Sequence, residues 1–466
     1  MTVSDDTLIQ RIVAACGVAS VVPPADAQGR TLSPFGATLG ASPILRPADT
    51  AQVATMVRLL HEAGRTLVPL GGATGLAGGV QPSGAAGEWH LSTERMRAIE
   101  LLDPMSRIAV VQAGVVLQTM QDAAAREDLL FPVDLGARGS ATIGGLIATN
   151  AGGERVLRFG MMREQVLGLE VVLADGSVLD LMDQVVKNNA GYDLKQLFIG
   201  SEGTLGIVTR AVLRLRPALP RHEAAFLAVE DLAALPRLLS RVESALGGSL
   251  SAFELMWPSF HALMTEQHGV EPARHRSPVA AGAAAYVLIE LEDGGEAAED
   301  ERLLTLLDQL VEEGLLRDAA VARSGADQEA FWAIRNDIEH LIRLLQPLHA
   351  FDVSVPIAHM VDYVDELCDA VSARWPAARP VVFGHVADNN LHVVVGGMEP
   401  SEKSALEAIV YAGVHRRRGS ISAEHGIGLD KRAALRDSRP PEVMALMAAL
   451  KKMLDPTGLL NPGKVI

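Results

Sequence analysis

The segment Val381–Val395, "VVFGHVADNNLHVVV", is apolar at both ends and polar in the middle. That pattern predicts two strands, with Asp388-Asn389 as the turn between them. A two-residue turn there sets Ala387 against Asn390, Val386 against Leu391 and His385 directly opposite His392. Opposed side chains share one face of a ribbon, with Cβ atoms about 4.5–5.5 Å apart. Two imidazoles then stand side by side on an otherwise apolar surface.

Similar patterns run through the rest of the chain. "PADTAQVATMVRLLHEAG" places Val53, Met56, Val57 and Leu60 on one helical stripe, with Thr50 as its cap and Gly64 as its stop. "RTLVPL" predicts a strand running into the loop "GGATGLAGG", and "RIAVVQAGV" predicts another strand. "VLGLEVVLADGSVLDL" predicts a hairpin turned at Asp175-Gly176, and "GIVTRAVLRLRP" closes this half near Pro217. Beyond residue 220 the helical patterns "EDLAALPRLLSRVESAL" and "EDERLLTLLDQLVEEGLL" alternate with strands such as "AAYVLIELED". This predicts an α+β protein, its second half a sheet covered on one face by helices. The expected divisions are a helical lead-in at 1–35, a first domain at 36–218, a second at 219–380 and a C-terminal segment at 381–466.

Composition narrows the classes. The 466 residues are 48% hydrophobic and 21% charged, which suits a large buried core. A net charge of −16 argues against a nucleic-acid partner. Two cysteines, Cys16 and Cys368, imply no disulfide framework. The first residues carry acids where a secretory signal needs bases, and no apolar run reaches the ~18 residues of a spanning segment. The expectation is a cytoplasmic protein with no transmembrane segment; base rates add a homodimer.

Three stretches concentrate glycine: "PLGGATGLAGGV", "PVDLGARGSATIGGLIATNAGGERVLRFG" and "GSEGTLGIVT". Each alone reads as tight turns and close packing. Together, in one ~220-residue region, they favour a large phosphate-containing cofactor, because backbone without Cβ comes close to a ligand and offers N–H groups to its oxygens. Neither a Walker A loop nor G-x-G-x-x-G spacing is present.

The histidine pair has three readings: packed core residues, a pH-responsive pair, or two ligands of a metal. Buried neutral imidazoles each leave an acceptor nitrogen, which a divalent ion satisfies at once. "SISAEHGIG" offers Glu424 as a third ligand and, in an extended backbone, turns His425 the other way. A metal-dependent hydrolase built on these four side chains, without a redox cofactor, is one alternative, and a non-catalytic nucleotide-binding module is another.

"PLGGATGL", "ATIGGLIATNAGG", "SEGTLGIVT" and "LDPTGLLNPGK" resemble the flavoproteins of the vanillyl-alcohol oxidase and p-cresol methylhydroxylase type, from about residue 40 to the C-terminus. The resemblance implies a two-subdomain FAD-binding domain at 36–218, a ferredoxin-like sheet with helices as the substrate domain at 219–380, and a C-terminal segment returning to the flavin. It assigns FAD contacts to Pro69, Gly71, Gly72, Ala73, Thr74, Gly75 and Leu76, then to Pro132, Asp134, Thr142, Ile143, Gly144, Gly145, Asn150, Gly152 and Gly153, and finally to Glu202, Gly206, Ile207 and Asn461. The first loop has no histidine, which implies non-covalent FAD.

"GHVADNNLH" and "AEHGIG" are similar to the metal signatures of FAD-dependent D-2-hydroxy-acid dehydrogenases. That resemblance implies His385, His392 and Glu424 as ligands of a divalent metal such as zinc, His425 as the base, and Arg335 as the group that binds a substrate carboxylate. It also implies hydride transfer to flavin N5 and an electron acceptor that is a flavoprotein carrier, a quinone or a cytochrome. Two positions depart from the 2-hydroxyglutarate enzymes: Ala350 stands in place of a lysine and Glu339 in place of a small hydroxyl residue. His349, His340 or Arg343 can compensate. The acid therefore stays open between D-2-hydroxyglutarate and a monocarboxylate such as D-lactate.

Overall fold

The computed structural model describes residues 4–34, 36–84, 87–268, 272–294 and 301–466. The chain divides into two compact units, Met1–Gly153 with Phe159–Ala218 and Glu424–Ile466, and Glu154–Arg158 with Leu219–Ala423. The segment 381–466 therefore contributes to both units.

In the first unit, helix Thr50–Glu62 buries Val53, Met56, Val57 and Leu60 against Leu67, Trp89 and Leu91. Its cap is Asp49, not Thr50: the Asp49 carboxylate accepts from the Gln52 amide, while the Thr50 hydroxyl is turned to Glu170. The helix covers strands Thr66–Leu70 and Glu88–Ser92, which pair in parallel. A second, antiparallel sheet orders Ile99–Asp103, Ile108–Gln112, Ile207–Arg214, Val166–Val172 and Val178–Leu181. Its hairpin turns over three residues, with Leu173 and Ser177 bonded across it and Gly176 at φ 79°. That is the type I turn plus left-handed residue that such loops favour, one residue longer than the sequence predicts. Ala109, Val111, Ile143, Ile147, Phe198 and Leu213 pack into the core between this sheet and helix Ile143–Thr149.

The second unit is an antiparallel sheet in the order Leu316–Val321, Arg221–Val229, Ala285–Asp293, Leu250–Met256, Arg379–His385, Asn390–Gly396, Leu348–Ser354. Ala224, Phe226, Tyr286, Leu288 and Phe383 pack under helices Pro258–Thr265, Gly325–Asn336 and Ile338–Leu345. Ala225, Leu227, Val287 and Ile289 point the other way and are equally buried. The cover thus reaches both faces rather than one, and the unbroken apolar run "AAFLAV" is its signature.

The histidine hairpin forms with a different register. Its strands end at His385 and resume at Asn390, around a 3-10 turn Val386–Asp388 and a left-handed Asn389 at φ 72°. Phe383, not His385, lies opposite His392. The four-residue turn shifts the pairing by two positions, and a shift of two keeps every side chain on its face where a shift of one flips it. Gly384 is required here, because a Cβ would sit 2.3 Å from the Asn390 carbonyl oxygen.

Candidate active site

The hairpin face that carries both histidines also carries a buried acid. Strand Leu250–Met256 pairs with Arg379–His385 so that Glu254 stands opposite His385. The Glu254 carboxylate lies 2.6 Å from His385 Nδ1 and accepts from Arg335 Nε at 2.9 Å. Arg335 Nη2 reaches 3.5 Å from His385 Nε2, and its guanidinium lies 4.6 Å from the Phe383 ring centre. The two imidazoles are diagonal neighbours, with ring centres 5.4 Å apart and planes at 80°. On the next strand Asp352 stands opposite His392, its carboxylate 3.9 Å from His392 Nδ1. The other Asp352 oxygen accepts the Ala423 amide at 3.1 Å.

Burial by itself raises a carboxyl pKa, but the charges and hydrogen bonds of His385 and Arg335 hold Glu254 down to about 2. Arg335 is 4% exposed and not the surface residue its helical position suggests. Removing one partner of a buried pair of this kind costs about 3–5 kcal/mol.

Of the residues the sequence singles out, His385, His392 and Arg335 meet within the second unit. Glu424 and His425 open the C-terminal segment of the first unit and are half-buried. Glu424 is one peptide bond from Ala423, whose amide is tied to Asp352. Residues 423–425 form a bend rather than a strand, so strand alternation does not set their directions. The next residues are clamped: Ile427 and Gly428 donate their amides to Glu202 at 2.7 and 2.8 Å. Burial pushes the Glu202 carboxyl up, against these two amides, which favour the anion. A Cβ on Gly428 would lie 1.9 Å from the Ala77 carbonyl oxygen, so the segment packs backbone to backbone on the first glycine-rich loop.

Sequence reasoning passed over Glu254, although its one charge within the fully buried strand "LSAFELM" is a legible signal.

The glycine-rich stretches separate by role. A Cβ on Gly72 would lie 2.0 Å from Ser140 O, on Gly153 1.7 Å from Asp134 O, on Gly71 2.6 Å from Thr142 Oγ1 and on Gly206 2.5 Å from Val171 Cγ1. Gly144 packs on Ala113 in the same way. These glycines are explained by packing alone. Thr142 caps its helix through Gly145 N, while Ile143 and Gly144 donate to Val115 and Ala113, so this helix end is already occupied. Ile143 and Ile207 are core residues, and Gly152 is buried. Asn150 ends that helix at φ 48° and accepts the Arg163 amide. Pro132 and Asp134 are buried on the loop that precedes this helix.

The loop after Pro69 is different. The amides of Gly72, Ala73, Thr74, Gly75 and Leu76 have no hydrogen-bond partner among the described residues. Ala73 is left-handed at φ 55°, and nothing lies within 4 Å of a Cβ on Gly75. Successive unpaired amides around a left-handed residue make an anion-binding concavity. Asn461 closes the same region, donating to Gly79 O at 3.0 Å and Glu202 O at 2.7 Å. Its own carbonyl oxygen is buried and unpartnered among the described residues, an acceptor open to a donor on a bound group. These features fit a dinucleotide with an anionic pyrophosphate.

Two family models match the chain: "FAD binding domain" over residues 41–182 and "FAD linked oxidases, C-terminal domain" over residues 219–465. The mitochondrial D-2-hydroxyglutarate dehydrogenase of Bos taurus is 38% identical over 91% of this chain and 76% of its own length. The D-2-hydroxyglutarate dehydrogenase of Xanthomonas citri pv. viticola is 37% identical over 91% of this chain and 88% of its own. The chain belongs to the FAD-dependent D-2-hydroxy-acid dehydrogenases. The fold agrees: a structure of p-cresol methylhydroxylase superposes with a TM-score of 0.74 at 17% identity, over 99% of this chain and 96% of that one.

A dehydrogenase of this family oxidises a hydroxy acid with FAD, which leaves the metal-dependent hydrolase without support. Among the described residues, no helix is long and apolar enough to cross a membrane.

Proposed function

We propose that the protein oxidises a D-2-hydroxy acid, D-2-hydroxyglutarate or a D-lactate-like acid, to the 2-oxo acid. The observation that carries this reading is the histidine pair on one hairpin face, with the carboxylate of Glu254 fixed at His385 Nδ1. In this reading His385, His392 and Glu424 hold a divalent ion, zinc by donor type. When bound, FAD supplies a hydride acceptor at N5, and the ion supplies Lewis acidity that makes the substrate hydroxyl easier to deprotonate.

The chain's residues do the rest. His425 takes the hydroxyl proton at an imidazole nitrogen as the C2 hydride leaves, so charge does not accumulate on the substrate. Arg335, seated on Phe383, supplies positive charge for a substrate carboxylate, although Glu254 already neutralises much of it. The amides of residues 72–76 hold the cofactor's phosphates, and Asn461 adds an acceptor. The final electron acceptor is a flavoprotein carrier, a quinone or a cytochrome, and the enzyme works as a cytoplasmic homodimer. The Bos taurus relative is named as mitochondrial, whereas the Xanthomonas citri relative carries no compartment in its name.

His425→Asn tests the assignment. Turnover falls by about 10²–10⁴-fold, the usual share of a general base, while flavin stays bound. Turnover within a few-fold of the parent removes His425 from the chemistry.

A further inference from the structure

We infer that the outer face of the antiparallel sheet in the first unit carries a binding site for a phosphate-class oxyanion, built from Arg107, Arg214 and Arg216. The inference goes beyond the oxidation reaction and uses none of the residues assigned to it.

Strand alternation sets the faces of this sheet. Ala109, Val111 and Leu213 pack inward, in the core shared with helix Ile143–Thr149. Ile108, Val110 and Val212 form a separate cluster on the other face, with Leu167 and Met182 packed on it. Arg214 lies opposite Ile108 and so shares this outer face. Arg216 follows two residues on, with buried Leu215 between them. Arg107 joins them from the neighbouring hairpin. Its backbone is left-handed at φ 53°, which breaks the alternation, and its carbonyl accepts the Leu215 amide at 2.8 Å.

The three arginines line one cavity of about 160 Å³, with Ile108 and Leu167 as its apolar wall and Gln184 beside them. No carboxylate lines it among the described residues. Among those residues, too, none of the three arginine side chains makes a hydrogen bond or ion pair, and Arg216 Nε is buried. Asp103, the acid of the same hairpin turn, is spent on the amides of Met105 and Ser106 at 2.9 and 3.2 Å. Arg210, earlier on the strand that carries Arg214, shows the ordinary arrangement and pairs with both Glu100 and Glu170. Burial and the charges of Arg214 and Arg107 push the Arg216 pKa down.

Like charges gathered over an apolar wall repel, and a buried donor without an acceptor costs stability. One bound dianion removes both penalties. Guanidinium forks match phosphate oxygens in bidentate pairs, and the Gln184 amide adds a neutral donor. A free phosphate ion and the phosphate of an ester present the same oxygens to this site.

The test uses flavin-loaded protein, so that the glycine-rich loop is occupied. Isothermal titration calorimetry at fixed ionic strength measures inorganic phosphate and, separately, adenosine monophosphate. One site per chain is expected, and Arg214→Gln or Arg216→Gln should weaken it about 10–100-fold, the share of one hydrogen bond to a charged group. Tighter binding of the ester or of the free ion names the source, and either supports the site. Melting curves give a second reading. Without phosphate, Arg216→Gln should melt at or above the temperature of the parent, because a repulsion is gone. With saturating phosphate the parent should melt higher, because only it gains the full binding energy. A variant that melts below the parent by the same amount in both buffers overturns the inference, since that arginine is then merely structural. Arg107→Gln changes an exposed side chain and keeps the test open if a half-buried variant fails to fold. Phosphate affinity within twofold of the parent in every folded variant, or no saturable heat with either probe, also overturns it.

Discussion

Phe383 stands opposite His392 across the hairpin and holds two polar groups at once: the His392 ring centre is 5.0 Å from its own, and the Arg335 guanidinium is 4.6 Å away. It also packs on Phe260, with ring centres 4.3 Å apart. Phe383→Ala should therefore cost about 3–5 kcal/mol of stability, as large core truncations do. It should also lower bound metal per chain, because His392 and Arg335 lose the surface they rest on. Phe383→Leu keeps most of the volume and should be milder in both. Melting curves with metal analysis check this; parental metal content in a destabilised Phe383→Ala would separate the ring from the site.

Two glycines of one loop should behave differently. Gly72→Ala meets the Ser140 carbonyl oxygen at 2.0 Å, a backbone atom that cannot yield, and should not give folded protein. Gly75→Ala meets nothing within 4 Å and should keep the parental melting temperature in the flavin-free form. Its methyl group stands among the unpaired amides, so flavin should dissociate more readily. Fluorescence titration of the flavin-free variant with FAD measures this, and unchanged affinity would place the phosphates elsewhere.

Glu290 should make stability fall with rising pH. Burial and the neighbouring Glu292 raise its carboxyl from the ordinary 4.5 to about 7, although Trp332 donates to it at 3.2 Å. Between those values the folded chain holds a proton that the unfolded chain has released. The contribution is complete below about 4.5 and is lost as pH rises through about 7. Glu290→Gln should flatten that slope and gain about 3 kcal/mol at pH 8 relative to the parent. A variant with the parental pH dependence would show that Glu290 titrates normally.

Periodicity made the elements legible where one rule acts alone. The stripe Val53, Met56, Val57, Leu60 was readable because a helix buries every third or fourth residue, yet its cap was misplaced by one because Asp49 and Thr50 both suit the position. In the hairpin, the shared face of His385 and His392 was readable from period two. The register was not, because turn length depends on the Gly384 backbone fitting against Asn390. The glycine-rich segments advertised a ligand, but Gly72, Gly153 and Gly206 are explained by neighbours distant in sequence. Glu254 reaches His385 across 131 residues, a pairing that only the sheet order creates.

A metal ion bound to His385, His392 and Glu424, acting with His425 beside a flavin, is the central claim. Its most direct test is the visible spectrum of the flavin under anaerobic mixing with D- and L-forms of 2-hydroxyglutarate and lactate, before and after chelator treatment. The account predicts that a D-acid bleaches the flavin and its L-form does not. Chelated protein should stay yellow with the same D-acid and bleach once zinc or manganese is returned. Bleaching at an unchanged rate in protein shown to be free of metal would contradict it.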